Sequence, residues 1–328
     1  MKVGCPYFGI YTPLIKELGD YLNWDLILSP PPTEKSIDRG TAALAAELIC
    51  LPAKVTLGSM IEACENGATD LIMFDSCGLC RQKTYWILQQ RALRKKGYDV
   101  TVHPIRLGLG TPRDIWAVDP TVPIWRVGWA FIKLIRHIFR QERKEITPQD
   151  DNRVKIGIVG EIYTILEPAV NRDTIKKIQK MGASVHNFIN LTYFISKKFG
   201  LKGWVSKEDR RIIRTAMQIS HRYFPKDIGG HGNESITFTL YYAMKKFDGV
   251  IHILPFPCMP EATVAPILDD ISREYSIPVM RLIFDTHTAE AGLFTRLEAF
   301  IDILDRKKKQ KSSMDRNMER NDRRVVIT

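Results

Sequence analysis

The chain has 328 residues, 45% of them hydrophobic and 26% charged, which is ample for a large core and, by length, favours two domains over one. The opening Met1-Lys2-Val3-Gly4-Cys5-Pro6 lacks an apolar h-region, and no run approaches the ~18 apolar residues of a membrane span; the expectation is a cytoplasmic protein with no transmembrane segment. The formal net charge of +11 resembles a nucleic-acid signature, but nine Lys/Arg against three Asp/Glu lie in 306–328, so most of the excess belongs to a C-terminal tail and no specific nucleic acid is implied.

Short apolar runs predict strands at 2–5 and 25–28, with a helix over 11–22 between them. A helical stretch around 41–49 leads into Cys50-Leu51-Pro52-Ala53-Lys54. Leu57, Met60, Ile61 and Cys64 at helical spacing predict a helix over 55–65. A buried-type strand at 70–74 precedes the loop Asp75-Ser76-Cys77-Gly78-Leu79-Cys80, then a helix over 82–96 capped by Gly97 and a strand at 99–104. This alternation argues for a parallel sheet covered by helices.

The pattern breaks over 107–152. Within it, 122–143 reads as a helix in which Trp125, Trp129, Ile132, Ile135 and Phe139 mix with Arg126, Lys133, Arg136 and Arg140. Such a helix suits a membrane surface; the reading adopted is an inter-domain helix that packs its aromatic stripe on the core. A second α/β pattern follows, with strands at 154–159, 183–185, 249–254 and 279–284 and helices over 171–181, much of 191–224, 235–246, 261–274 and 292–304. The predicted fold is α/β: two Rossmann-like or flavodoxin-like parallel-sheet domains, 1–106 and 153–305, facing each other, with a helical connection over 107–152 and a disordered basic tail over 306–328.

Six cysteines without an export signal point to free or metal-bound thiols. Cys50 begins a helix-entry turn, Cys77 and Cys80 follow one strand, and Cys258 follows another. Parallel α/β sheets place such loops at the carboxyl edge, where ligands bind. Two domains facing through these edges bring the loops together. Thiolates are soft ligands for iron, and helix N-termini stabilise their charge. The expectation is a [4Fe-4S] cluster held by Cys50, Cys80 and Cys258, with Cys77 as a fourth ligand or a bystander. Cys64, on an apolar helix face, reads as structural, and Cys5 is left open.

Strand–Cys-x-x-Cys–helix also resembles a thioredoxin redox motif, so a thiol–disulfide oxidoreductase using Cys77 and Cys80 stays open. Zinc ranks third, for lack of a second pair at structural-zinc spacing. Nucleotide motifs are absent: Gly157-Ile158-Val159-Gly160-Glu161 lacks the third glycine of a dinucleotide fingerprint. Gly229-Gly230-His231-Gly232-Asn233-Glu234-Ser235 and Asp285-Thr286-His287-Thr288-Ala289-Glu290 fall at the same presumed edge. His231, Asp285 and Glu290 are candidate proton carriers there, and Glu261, His287 and Glu234 are taken as the candidate catalytic residues. Asp, Thr and Gly are also ordinary turn and cap residues.

The segments Glu47-Leu48-Ile49-Cys50-Leu51-Pro52-Ala53-Lys54, Cys77-Gly78-Leu79-Cys80-Arg81, Val159-Gly160-Glu161-Ile162-Tyr163, Pro255-Phe256-Pro257-Cys258-Met259-Pro260-Glu261 and Thr295-Arg296-Leu297-Glu298-Ala299-Phe300-Ile301-Asp302 resemble the activase-related branch of the 2-hydroxyacyl-CoA dehydratase component superfamily, to which double-cubane cluster proteins are related. The resemblance implies α/β lobes enclosing an oxygen-sensitive cubane with three cysteine ligands, which map onto Cys50, Cys80 and Cys258. It implies low-potential electrons from an ATP-dependent activase iron–sulfur protein, an acyl-CoA or other small-molecule substrate, and a homo- or hetero-oligomer. In the dehydratases one electron passes to the thioester carbonyl, and the ketyl radical loses the neighbouring hydroxyl as water. Cys77 and Leu79 depart from the family's usual Gly-Gly-x-Gly-Pro-Cys-Arg loop, and His287-Thr288-Ala289 lies where acidic and glycine residues are common. Six thiolates are needed for a double cubane; with Cys64 structural, a single cubane is expected. A non-catalytic maturation or binding partner of such a system is the third reading.

Overall fold

The computed structural model of the protein describes residues 1–44, 48–75, 80–143, 153–201 and 205–325. Strands β1 (Lys2–Cys5), β2 (Asp25–Leu28), β3 (Asp70–Asp75) and β4 (Thr101–Arg106) form one sheet in the order β2-β1-β3-β4. Strands β5 (Lys155–Gly160), β6 (Ser184–Asn187), β7 (Gly249–Pro255) and β8 (Val279–Phe284) form a second in the order β6-β5-β7-β8. Every pairing is parallel. The α/β architecture of two parallel-sheet lobes is thus as the sequence predicts. In each lobe the strand order reverses between the first and third strands, which places a crevice at their carboxyl ends. β7 is buried along its whole length, as a central parallel strand covered on both faces should be.

One helix belongs to both cores. Leu51–Glu65 is buried on nearly every side. Leu51 and Val55 pack among the second lobe's Ile156, Ile158 and Phe238, while Leu57, Met60, Ile61 and Cys64 pack among the first lobe's Leu71, Met73 and Val102. Helix Glu34–Leu44 lies against it almost backbone to backbone. A Cβ on Gly40 would fall 1.9 Å from the Lys54 carbonyl oxygen, and one on Gly58 would fall 2.0 Å from that of Ser36.

The helix expected around 41–49 starts earlier, at Glu34. Thr33 and Ser36 form a reciprocal capping box, with each backbone N–H donating to the other's hydroxyl at 2.9 and 3.2 Å. Residues 45–47 lie outside the described residues, and 48–49 are turn. The connection holds two helices, Thr111–Val118 and Ile124–Arg143. Glu142 ties the second of them to the other elements. Its carboxylate accepts from the Tyr11 hydroxyl and from the backbone N–H groups of Leu191 (3.1 Å) and Thr192 (2.7 Å). It therefore satisfies the amino end of helix Leu191–Phe199.

One expectation is corrected. The aromatic stripe of the connecting helix does not all face the core. Val127, Ala130, Phe131 and Ile138 are buried, whereas Trp125 is 72% and Trp129 49% exposed. The helix is apolar around more of its girth than one packing face can use, so part of that apolar surface is left in water. The closing helix, Glu290–Val325, runs past Lys308 into the basic segment. Residues 306–325 contain neither Gly nor Pro and are rich in Lys and Arg, so helix propensity carries on after the apolar stripe has ended.

Two measurements test this packing. Gly58→Ala forces a side chain into the Ser36 carbonyl, and a loss of about 1–3 kcal/mol or more is expected in chemical denaturation. Separately, burial pushes the Glu167 carboxyl from 4.5 up to about 7, against the backbone N–H groups of Ala169 and Gly9 that pull it down. A raised acid favours the folded chain when protonated, so its contribution is complete below pH 4.5 and fades as pH climbs through 7. Glu167→Gln should therefore gain melting temperature relative to wild type progressively between pH 5 and 8. A difference that stays constant over that range would assign the pH dependence elsewhere.

Candidate functional site

Cys50, Cys80 and Cys258 share one local design. Each occupies the N-cap position, in extended backbone, of a helical segment beginning at Leu51, Arg81 or Met259. The 3-10 turn after Cys80 runs on into helix Tyr85–Lys95. Cys80 follows β3 and Cys258 follows β7, the third strand of each sheet. A thiol at such a position faces the positive end of a helix. All three are free of disulfides.

The loops that carry them meet across the lobes. Leu51 N–H donates to the Phe256 carbonyl oxygen at 3.2 Å, and Arg81 Nη2 donates to the Pro257 carbonyl oxygen at 3.2 Å. The glycine-rich loop closes another side. Gly230, at φ +57°, is so near that a Cβ there would lie 3.0 Å from Pro260 Cγ and 3.6 Å from Cys80 Cβ.

The electrostatics report the same proximity. The Cys50 thiol is pushed up to about 12, chiefly by burial, with smaller upward contributions from Glu161 and Cys80. Burial raises Cys258 more strongly still, with added contributions from Glu261, Glu161 and Cys50. The Tyr85 hydroxyl, 2.9 Å from Cys50 Sγ, and the backbone N–H groups of Ala53 and Glu261 act in the opposite direction. Thiols held so far above their ordinary value are poor nucleophiles, and they ionise when a metal takes the proton's place.

Soft sulfur donors at three helix N-termini, drawn from both lobes, suit an iron–sulfur cluster. No three Cys, His, Asp or Glu side chains among the described residues are grouped closely enough to hold one metal ion. Cluster ligands stand farther apart than that, because each thiolate binds a different iron.

The remaining sequence candidates are scattered. Cys77 lies outside the described residues. Cys64 packs in the first lobe's core. Cys5 is wholly buried, its thiol donating to the Pro6 carbonyl oxygen at 3.3 Å. Glu261 is fully buried beneath Cys258. Its Oε2 lies 2.8 Å from His252 Nε2 and accepts from Ser235 Oγ at 2.8 Å. Glu234 is buried and paired with Lys197. His287 is exposed in the turn after β8, its backbone N–H donating to Asp285 Oδ1 at 2.8 Å. His231 caps helix Gly232–Met244, its Nδ1 accepting from Ile162 N–H at 3.4 Å.

Three residues of the site escaped the sequence reading: Tyr85, Arg81 and Glu161. Glu161 is buried as the N-cap of helix Ile162–Leu166, accepting from the N–H groups of Tyr163 (2.9 Å) and Thr164 (2.8 Å). Its place directly after a buried strand was the available signal. Arg81 was adjacent to a candidate ligand, whereas nothing in the pattern marked Tyr85. Neither a scan against protein-family models nor a search of curated proteins returns a match for this chain.

Tyr85→Phe removes the hydroxyl that favours the Cys50 thiolate. Alkylation of Cys50 at alkaline pH should slow in the variant, as followed by peptide mass spectrometry. An unchanged rate would show that the hydroxyl does not donate to the sulfur.

Proposed function

We propose that the chain carries a [4Fe-4S] cluster between its lobes, with Cys50, Cys80 and Cys258 as its cysteine ligands, and acts in low-potential electron transfer. The observation that carries this reading is the convergence of three N-cap cysteines from two lobes, with Cys50 close enough for its charge to act on Cys258 and to feel that of Cys80. The motif resemblance to 2-hydroxyacyl-CoA dehydratase components supports the same assignment. It further suggests radical dehydration or reduction of an acyl-CoA or other small molecule, with an ATP-dependent activase as electron donor.

When bound, the cluster supplies one-electron chemistry. The protein's own residues set the conditions for it. Tyr85 and the helix N–H groups direct hydrogen-bond donors at sulfur, which moderates the charge on the ligands and tunes the potential. Arg81 locks the Cys80 turn to the Cys258 loop. Gly230 lets the glycine-rich backbone approach Cys80 where a side chain would intrude. Phe256, 50% exposed, and Met259, 40% exposed, flank Cys258 with apolar surface.

Anaerobic purification with iron and acid-labile sulfide analysis tests the reading. About four irons per chain are expected, with most lost in Cys50→Ala, Cys80→Ala and Cys258→Ala, and retained in Cys64→Ala. An iron-free protein with a redox-active Cys77–Cys80 disulfide would point to thiol–disulfide exchange. Full cluster content in all three ligand variants would refute the assignment.

A further inference from the structure

Helix Ile124–Arg143 has an uncovered face of unusual composition. Trp125, Trp129, Ile132 and Arg136 recur at i, i+4, i+7 and i+11, and Arg140 extends the line by one more turn. Trp125 is 72%, Trp129 49% and Ile132 52% exposed, and Arg136 and Arg140 are exposed as well. The opposite face, through Val127, Ala130, Phe131 and Ile138, is buried in the protein. Core packing therefore leaves the two indoles and Ile132 in water.

The face is organised as well as apolar. The Lys133 ammonium lies 3.4 Å from the centroid of the Trp129 ring and 4.5 Å from that of Tyr21, and Tyr21 meets Trp129 edge-on at 5.5 Å. Arg126 is fixed alongside, donating to the Tyr21 carbonyl oxygen (2.7 Å) and Asn23 Oδ1 (2.9 Å). The helix has one acidic residue, Glu142, and it is buried and engaged elsewhere. The exposed face thus carries indoles, an isoleucine and cations, with no acid of its own helix among them.

We infer that this face docks on an anionic lipid surface. Charge selects that occupant. Each copy of the face is cationic and carries no acid of its own helix, so two copies meeting through it would repel and self-association is opposed. A negatively charged bilayer attracts the cations, while tryptophans favour the headgroup boundary and the arginine stems reach along it. The helix would lie in the interface plane with its inner side still packed on the lobe.

Vesicle co-sedimentation of the full chain tests this, using phosphatidylglycerol–phosphatidylcholine vesicles against phosphatidylcholine alone. Binding to the anionic vesicles is expected, roughly tenfold weaker in Trp125→Ser/Trp129→Ser and in Arg136→Gln/Arg140→Gln. Brominated lipids should quench fluorescence in wild type and not in the tryptophan variant. The substituted side chains are exposed, so both variants should fold, as circular dichroism can confirm. Each variant leaves the basic helix beyond Lys308 intact; undiminished binding would assign lipid attraction to that segment and overturn the inference. Absence of binding to anionic vesicles would also overturn it, whether accompanied by a Trp125-dependent dimer or by binding to an acidic protein.

Discussion

The hydrogen bond from Leu51 N–H to the Phe256 carbonyl stands at the point on which the rest of the molecule depends. It joins the first turn of a helix buried on almost all sides to the loop that presents Cys258. The helix is connected in sequence to the first lobe, yet Leu51 and Val55 are part of the second lobe's core. Burying an aliphatic side chain of that size contributes about 1.5–3 kcal/mol, so pulling the lobes apart at this seam is expensive. The seam fixes Cys50 at the amino end of the helix, beside a cysteine some two hundred residues away in sequence. Gly40 and Gly58 allow the neighbouring helix close enough to hold that position.

The two lobes repeat one strand order, and the repetition explains which loops meet. Cys80 and Cys258 both follow the third strand of their sheets. Cys50 and His231 both cap the buried helix that feeds that third strand. The end of the first strand carries Cys5 in one lobe and Gly160-Glu161 in the other. The equivalent positions differ in chemistry while sharing their place at the carboxyl edge. Cys5 has withdrawn into the core, while Glu161 acts electrostatically on Cys50 and Cys258. The site is therefore an edge-to-edge meeting of two lobes of one strand order in which each lobe contributes different atoms.

Much of this was legible in the sequence because it is encoded locally. β1, β2 and β8 match their expected bounds, since short apolar runs between turn residues have few alternatives. The third-strand cysteines could be placed at the carboxyl edge from strand periodicity alone. What could not be read was long-range. Nothing in a periodic pattern says that helix 51–65 serves two cores, or that the Tyr85 hydroxyl reaches Cys50. The early start of helix Glu34–Leu44 depended on a Thr–Ser capping box, a weaker signal than the usual glutamate partner. The connecting helix misled because its apolar residues exceed one face, and only packing decides which of them are left in water. Glu261 was singled out as an acid near Cys258, and proximity in sequence was correct. Its direction was not accessible, since helical geometry turns the carboxylate inward to His252 and Ser235.

The charge balance at the edge gives the arrangement its chemical sense. The Cys258 thiol is buried and the Cys50 thiol half-buried; they lie near one another and feel the carboxylate of Glu161. Each of these influences opposes ionisation. Against them stand the helix N-termini, the Tyr85 hydroxyl and the backbone N–H groups of Ala53 and Glu261. For Cys50 and Cys258 the donors lose to burial, since both thiols still stand well above the ordinary value. The donors stabilise thiolate without being sufficient to create it, which is the balance expected where ionisation depends on a positive partner arriving. Burial then has a second consequence: once the charge is compensated, the same low-dielectric surroundings that resisted it shield the sulfurs from water and make each hydrogen bond to them count for more.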